Sequence, residues 1–300
     1  ITERWFIFMK KIILVTGATS GIGKEAAKVL AKQGHTIIVH GRNKDKTQAV
    51  IRELKADTGN HKIDMLLADL ESFADIRRMA DEFKKKYDHL DVLINNAGNQ
   101  YGGTREVTSE GHEKTMTVNT FAPFLLTYLL LESLSKSKEG RVVTVSSASH
   151  AQGGAPYLDD IELKDHYSYM KVYGVSKLYV IWIMRHFVKY CKQKGIKNIT
   201  FNCVHPGSAK TNLGSTGNRP LSMKILFTLW RPMMTSVEKG AKPTIFAAMA
   251  DEMKGKNNQY IGPKGYDKVN EKYYSEKNEE ILWNYCMKIC APYLEQEKSK

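Results

Sequence analysis

Short apolar runs alternate with longer amphipathic stretches along most of this chain. Ile12 to Val15 in "KKIILVTG" ends at a glycine and predicts a buried strand. "SGIGKEAAKVLAKQG" follows, with helix formers throughout and Gly34 as a stop. The pattern repeats through the strand "HTIIVHGR", the helix "NKDKTQAVIRELKAD", the strand "KIDMLLADL", the helix "SFADIRRMADEFKKKY" and the strand "HLDVLINNAG". Beyond it the chain predicts a long helix around 108–135, the strand "GRVVTVSS", a helix from about 170 to 193 and the strand "NITFNCV". Continuous Val/Ile/Leu runs are buried on both faces of a sheet. Alternating them with helices implies an α/β fold with a parallel sheet and right-handed crossovers.

The length of 300 residues, 42% hydrophobic and 26% charged, suits one large α/β domain or two small ones. No linker rich in Pro, Gly or Ser divides the chain and no internal repeat is evident, so one domain over 9–300 is expected. Residues 1–8, ahead of Met9, are expected to be a non-native or disordered extension. "ITERWFIFM" is apolar but far short of the ~20 residues that span a bilayer, and it lacks a small-residue cleavage site. No other stretch reads as a span.

The net charge of +13 favours anionic partners. Its lysines and arginines are scattered, which argues against nucleic acid and leaves a phosphate-bearing cofactor. The four cysteines, Cys191, Cys203, Cys286 and Cys290, contain no C-x-x-C pair. Reduced thiols in a cytoplasmic protein are the expectation. His150 and His205 have no companions at metal-ligand spacing, so no metal is expected.

"TGATSGIG" places Gly17, Gly21 and Gly23 at the turn from the first strand into the first helix. Glycines there let the backbone approach a pyrophosphate at the helix N-terminus; the alternative is a structural turn without a ligand. The second strand ends in "HGRN", with Gly41 and Arg42 where a carboxylate would accept ribose hydroxyls. An arginine there suits a 2′-phosphate, favouring NADP over NAD, unless it is a plain surface residue. Asp69 in "LADL" is a candidate partner for the adenine amino group or a helix cap.

"HYSYMKVYGVSK" holds two tyrosine–lysine pairs four residues apart, Tyr167/Lys171 and Tyr173/Lys177. Such a pair can make an acid catalyst, but the spacing recurs at Tyr190/Lys194, Tyr260/Lys264 and Tyr273/Lys277 and does not choose. Tyr173 is followed by the small residues Gly174 and Ser176 and opens the apolar "LYVIWIMRHFV", which places it on a long packed helix. Tyr167 and Lys171 are expected to precede that helix, in a polar loop.

"TGATSGIG", "NNAG" (95–98), Asn119 in "VNTFAPFLLT", "VSSASH", "YGVSK" and "HPG" stand in the order and spacing of the short-chain dehydrogenase/reductases. The chain resembles that superfamily from about Lys11 to Gly262. "TSEGHEKTMTVNTFAPFLLTYLLLESL", "VSSASH" and "VHPG" resemble its retinol-dehydrogenase-like branch, which includes protochlorophyllide reductases and the oxidoreductase domain of a WW-domain protein. The resemblance implies a single doubly wound Rossmann domain with a mostly or wholly parallel sheet of about seven strands. It implies a catalytic set of Asn119, Ser147, Tyr173 and Lys177. Ser147 would orient the substrate oxygen, and Ser146 should point away. Lys177 would lower the phenol's ordinary pKa near 10 and grip the nicotinamide ribose. Tyr173 would exchange the proton, and Asn119 would hold a water in a relay to Lys177. Tyr173 follows Ser147 by 26 residues, which the insert "HAQGGAPYLDDIELKDHYSYM" explains. NADP(H) contacts would come from Gly17, Ser20, Gly21, Ile22, Gly23, Arg42, Asp69, Leu70, Asn96, Ala97, Gly98, Tyr173, Lys177, Pro206, Gly207 and Thr211.

The function implied is an NADP(H)-dependent carbonyl reductase, or alcohol dehydrogenase in reverse. "LSMKILFTLWRPMM" would give the substrate lid, near 212–235, an apolar lining, so a lipophilic substrate of retinoid type is expected. The same stretch could make a dimer contact or touch a membrane peripherally, and the resemblance leaves homodimer and monomer open. A catalytically silent NADP-binding scaffold is the alternative class. Pigment photoreduction finds little support, because the loop after strand six holds no cysteine.

Overall fold

A computed structural model describes residues 10–208 and 235–294. The segment 1–8, Thr211 and nearly all of the expected lid lie outside them.

The strands are β1 (Ile12–Val15), β2 (Thr36–Gly41), β3 (Ile63–Leu67), β4 (Val92–Asn95), β5 (Gly140–Val145), β6 (Ile199–Val204), β7 (Tyr260–Gly262) and β8 (Gly265–Tyr266). They form one sheet in the order β3-β2-β1-β4-β5-β6-β7-β8. Every pairing is parallel except β7–β8, which closes the edge antiparallel. This is a Rossmann fold, with two-residue β8 the strand beyond the expected seven.

The pleat explains why unbroken apolar runs build both faces. Successive residues of a strand point to opposite sides. Leu14, Ile38, Leu93, Val142 and Phe201 join one core, while Ile13, Val15, Ile37, Val39, Ile94, Val143 and Val204 join the other. The first core is covered by helices α3 (Phe73–Lys86), α5 (Ala122–Leu129), α7 (Tyr169–Gln193) and α9 (Glu276–Leu294). The second lies under α1 (Gly21–Lys32), α2 (Lys44–Thr58) and α8 (Val237–Met249).

The helix expected around 108–135 is shorter and broken. Its first helical residue is Lys114, because Gly111 turns the chain at φ 85° and Val107 bridges to Glu113. The Glu113 carboxylate accepts from the Met116 amide at 2.6 Å and caps the start. α4 (Lys114–Met116) runs into a π turn (Thr117–Phe121), then α5 and α6 (Leu131–Ser135). Pro123 explains the π turn: it has no N–H for the Asn119 carbonyl, and its ring would crowd that carbonyl in a regular helix. Asn119 therefore sits where the helix is widened.

The strand order reverses direction between β1 and β4, which opens a crevice at their carboxyl ends. The turns after β1, β2, β3, β4, β5 and β6 all emerge at this edge and carry many of the residues selected from the sequence, while Asn119, Tyr173 and Lys177 come from helical segments.

Candidate active site

At the crevice's first side, the turn after β1 is held by its neighbours. Gly17 takes φ 62° and Gly21 φ 55°, left-handed values that favour glycine. A Cβ on Gly23 would come within 2.3 Å of Asn96 Nδ2 and 2.7 Å of the Gly17 carbonyl. Asn96 Nδ2 donates to the Thr16 carbonyl at 2.8 Å, and Thr16 Oγ1 accepts from the amides of Asn96 and Ala97, each at 3.0 Å. "NNAG" thus ties β4 to the glycine turn, and Asn95 reaches Thr127 and Thr144 beneath it.

The fit to a dinucleotide follows from this turn. Ser20 caps α1 in extended conformation without a side-chain bond, and no acidic residue sits in the helix's first turn. The first-turn amides, from Gly21 through buried Ile22 to Gly23, have no intrahelical acceptor and suit an anionic phosphate. At β2, a Cβ on Gly41 would lie 2.2 Å from Thr47 Oγ1 and 2.6 Å from Thr19 Cγ2, so a larger side chain, such as a carboxylate, does not fit there. The Arg42 guanidinium, 61% exposed, lies 3.6 Å from both Asp69 Oδ2 and Glu71 Oε1. Asp69 does not cap α3, since Ser72 holds that position and accepts from the Asp75 amide; Asp69 instead accepts from the Glu71 amide at 3.0 Å. Leu70 is buried beside it.

At the reacting end, α7 carries Tyr173 and Lys177 one turn apart, both buried. Lys177 Nζ donates to the Val145 carbonyl at 3.0 Å and lies 6.0 Å from the centroid of the Tyr173 ring. Ser146 Oγ donates to the Lys177 carbonyl at 2.7 Å, so this serine is a structural tie. Ser147 Oγ accepts from the Ser149 amide at 3.1 Å and favours the ionised form of the neighbouring Tyr173 phenol. Asn119 Oδ1 accepts from the Asn99 amide at 2.9 Å, and its Nδ2 donates to the Asn99 carbonyl and to Ser176 Oγ. Gly98 faces both groups: a Cβ there would meet Lys177 Nζ at 3.0 Å and Asn119 Oδ1 at 3.1 Å.

Two expectations change here. Lys171 does not precede the helix but lies in its first turn, because Ser168 caps α7. Tyr167 is also fixed, donating to the Gly102 carbonyl at 2.9 Å, while half-buried Lys171 lies over the Tyr157 ring. The two side chains take separate partners, and Tyr167 packs against the core. Nor does Lys177 pull the Tyr173 phenol below 10. Burial pushes it up to about 12, with the Ser147 hydrogen bond acting against that rise. Burial likewise lowers Lys177 to about 8.

Beyond β6, Gly207 takes φ 67°, with Pro263 where its Cβ would fall, and Pro206 adjoins it. His205 and His150 bond to protein groups: His205 Nε2 to Asp267 Oδ2 at 2.8 Å, and His150 Nδ1 to the Ser147 carbonyl at 2.8 Å. Among the described residues no cluster of His, Cys, Asp or Glu suits a metal ion.

A family model described as short chain dehydrogenase matches residues 11–220. The chain belongs to the short-chain dehydrogenase family. It is 34% identical over 280 residues to human polyprenol dehydrogenase, covering 91% of this chain and 83% of that protein. It is 32% identical over 274 residues to mouse retinol dehydrogenase 12, covering 91% and 84%. These relatives place it in the retinol-dehydrogenase-like branch. Among solved structures, a Shigella flexneri short chain dehydrogenase complexed with NADP superposes with a TM-score of 0.66 at 26% identity, covering 85% of this chain and 97% of that one. A Mycobacterium paratuberculosis protein does so with a TM-score of 0.74 at 27% identity, covering 94% and 93%. This short-chain dehydrogenase is therefore an oxidoreductase.

Sequence reading missed several residues that shape the site. His40, quoted in "HGRN" without a role, accepts from the Gly17 amide at 3.1 Å and bonds the Ala68 carbonyl at 3.2 Å. Thr16, His150 and Tyr260 also hold the crevice's backbone. Only a histidine at the end of a buried strand could have signalled one of these.

Proposed function

We propose that the chain is an NADP(H)-dependent oxidoreductase that interconverts a lipophilic carbonyl compound and its alcohol. The observation that carries this reading is that Tyr173 and Lys177 lie one turn apart on α7, with Ser147 acting on the Tyr173 phenol and Gly98 facing both Lys177 Nζ and Asn119 Oδ1. Retinol and polyprenol, the alcohols named for two relatives, are both isoprenoid, which supports a substrate of that class. Arg42 beside a glycine that excludes a carboxylate supports NADP(H), as does the NADP complex of a structural neighbour.

The bound nicotinamide would supply hydride to the carbonyl carbon or take it from the alcohol. Ser147 Oγ orients the substrate oxygen, and Tyr173 gives it a proton in reduction or removes one in oxidation. At pH 7 Tyr173 is protonated, ready to act as the acid. Lys177 spends one of three N–H donors on Val145, leaving two for ribose hydroxyls and the relay past Asn119. Asn119 holds the 98–99 backbone against α7.

The test is NADPH oxidation with retinal and a panel of other lipophilic aldehydes and ketones, with NADH and Tyr173→Phe run alongside. Turnover with NADPH that disappears in the variant is expected. Tight NADPH binding without turnover on any carbonyl would instead support a silent scaffold. Activity surviving in Tyr173→Phe would remove Tyr173 from the mechanism.

A further inference from the structure

Ser147 lies just past β5, where the sheet no longer fixes the backbone; the adjoining ladder bond runs from the Ser146 amide to the Val204 carbonyl. Its carbonyl oxygen is nevertheless held from three sides. The His150 amide donates to it at 3.0 Å, His150 Nδ1 bonds it at 2.8 Å, and the Tyr260 hydroxyl donates to it at 3.0 Å. The His150 tautomer follows from its other nitrogen: Nε2 accepts from the Asn270 amide at 3.0 Å, so Nδ1 carries the proton.

Tyr260 comes from β7, 113 residues along the chain, and is 4% exposed. Its ring stacks on His205 at 5.2 Å between centroids and meets His150 edge-on at 5.1 Å. His205 is anchored by Asp267 and accepts from the Gly207 amide at 3.3 Å. The last parallel strand and the segment after β8 thus converge on one peptide group, and that group belongs to the residue whose hydroxyl faces Tyr173.

We propose that Tyr260 and His150 are positioning residues for Ser147, acting through its backbone carbonyl to aim its hydroxyl. The inference rests on Ser147 contacting the substrate oxygen, as proposed above. A carbonyl oxygen has two lone pairs, so three donors leave it little freedom to rotate. Fixing that peptide fixes the Cα–Cβ direction of Ser147. Reaction rates are sensitive to this kind of placement: a displacement of about 1 Å can cost on the order of 100-fold. Removing one donor leaves the part-buried carbonyl bonded to the others, so the fold survives while the aim loosens.

Tyr260→Phe keeps both ring contacts and removes only the hydroxyl. It is expected to lower kcat for carbonyl reduction about ten-fold, with NADPH affinity and thermal midpoint close to wild type. A purely structural role would not produce the coupling that follows. In a Ser147→Ala background, under single-turnover conditions with enzyme in excess, Tyr260→Phe is expected to cause little further loss. His150, whose Nδ1 also lies 3.2 Å from the Tyr260 hydroxyl, supplies a second variant pair. His150→Asn can place an amide donor near the Nδ1 position and is expected to retain more activity than His150→Gln, which cannot. Tyr260→Phe at wild-type rate, or the same fold-loss with and without Ser147, would overturn the proposal. Equal activity in the two His150 variants would remove His150 from it. Full activity in Ser147→Ala would instead sink the role given to Ser147 itself, and the positioning argument with it.

Discussion

The main-chain amide of Gly17 donates to Nδ1 of His40 at 3.1 Å, across the space between β1 and β2. The other ring nitrogen bonds the Ala68 carbonyl after β3. One imidazole on β2 therefore joins the turns after β1 and β3, and it can accept from Gly17 only while neutral. Burial secures that state by pushing its pKa down to about 4.

A stability profile follows from that depression. The folded pKa is below the ordinary 6.5, so between the two values the unfolded chain binds more protons. The contribution is complete above about pH 6.5 and is lost as pH falls through about 4, an effect on the order of 3 kcal/mol at its limit. His35 carries the same depression and adds to the slope. Denaturant melts from pH 7 down to pH 4 are expected to show falling stability, with a shallower slope in His40→Gln. An unchanged slope in that variant would remove His40 as a source.

Gly98→Ala is expected to damage activity more than folding. Its new Cβ would stand 3.0 Å from Lys177 Nζ and 3.1 Å from Asn119 Oδ1. Neither group can retreat freely, because Lys177 is bonded to Val145 and Asn119 to both polar groups of the Asn99 backbone. Moving the lysine by a few tenths of an ångström should lower kcat/KM about ten-fold or more. Core overpacking costs roughly 1–3 kcal/mol, so the melting temperature should fall modestly. Wild-type kinetics in Gly98→Ala would mean that these two side chains need not sit where they do.

Arg42 is expected to set the cofactor choice. Its contacts with Asp69 and Glu71 are long and largely exposed, and such pairs contribute about 0–1 kcal/mol. A dianionic 2′-phosphate can therefore draw the guanidinium away. A hydrogen bond to a charged group contributes about 1.5–3 kcal/mol, so Arg42→Ala should weaken NADPH binding roughly ten- to hundred-fold. NADH affinity should hardly move. Fluorescence titration with both cofactors checks this, and equal losses for the two would show that Arg42 does not read the phosphate.

The strands and most of the site were legible because both depend on short-range pattern. Ile12 to Val15 alternates between two cores, and only a strand buried on both faces needs an unbroken apolar run. Tyr173 and Lys177 are one turn apart on a packed helix, so their shared face follows from sequence spacing. The break at Asn119 was hidden, because it needs the cap at Glu113 and the missing N–H of Pro123 to be considered together. The roles of His40 and Tyr260 were hidden for another reason: each acts on a backbone atom of a distant strand turn, and no local pattern marks such a partner. The phenol's raised pKa was not legible, because sequence shows the neighbouring lysine but not the burial of Tyr173.

That burial gives the two reaction directions different pH profiles. Tyr173, pushed up to about 12, is fully protonated across the neutral range and ready to donate. Reduction should therefore be insensitive to its titration there. Lys177, brought down to about 8 by burial, loses its charge above that point. With it would go the ammonium proposed to grip ribose and feed the relay, so kcat/KM for carbonyl reduction should be flat below about pH 8 and fall above it. Oxidation needs the phenol as a base, and the phenolate fraction grows about ten-fold per pH unit well below its pKa. Alcohol oxidation should accordingly rise from pH 6 towards pH 8, where reduction is level. Profiles in both directions, with one alcohol–carbonyl pair and saturating cofactor, make the comparison. Parallel profiles would show that Tyr173 does not carry the proton in both directions.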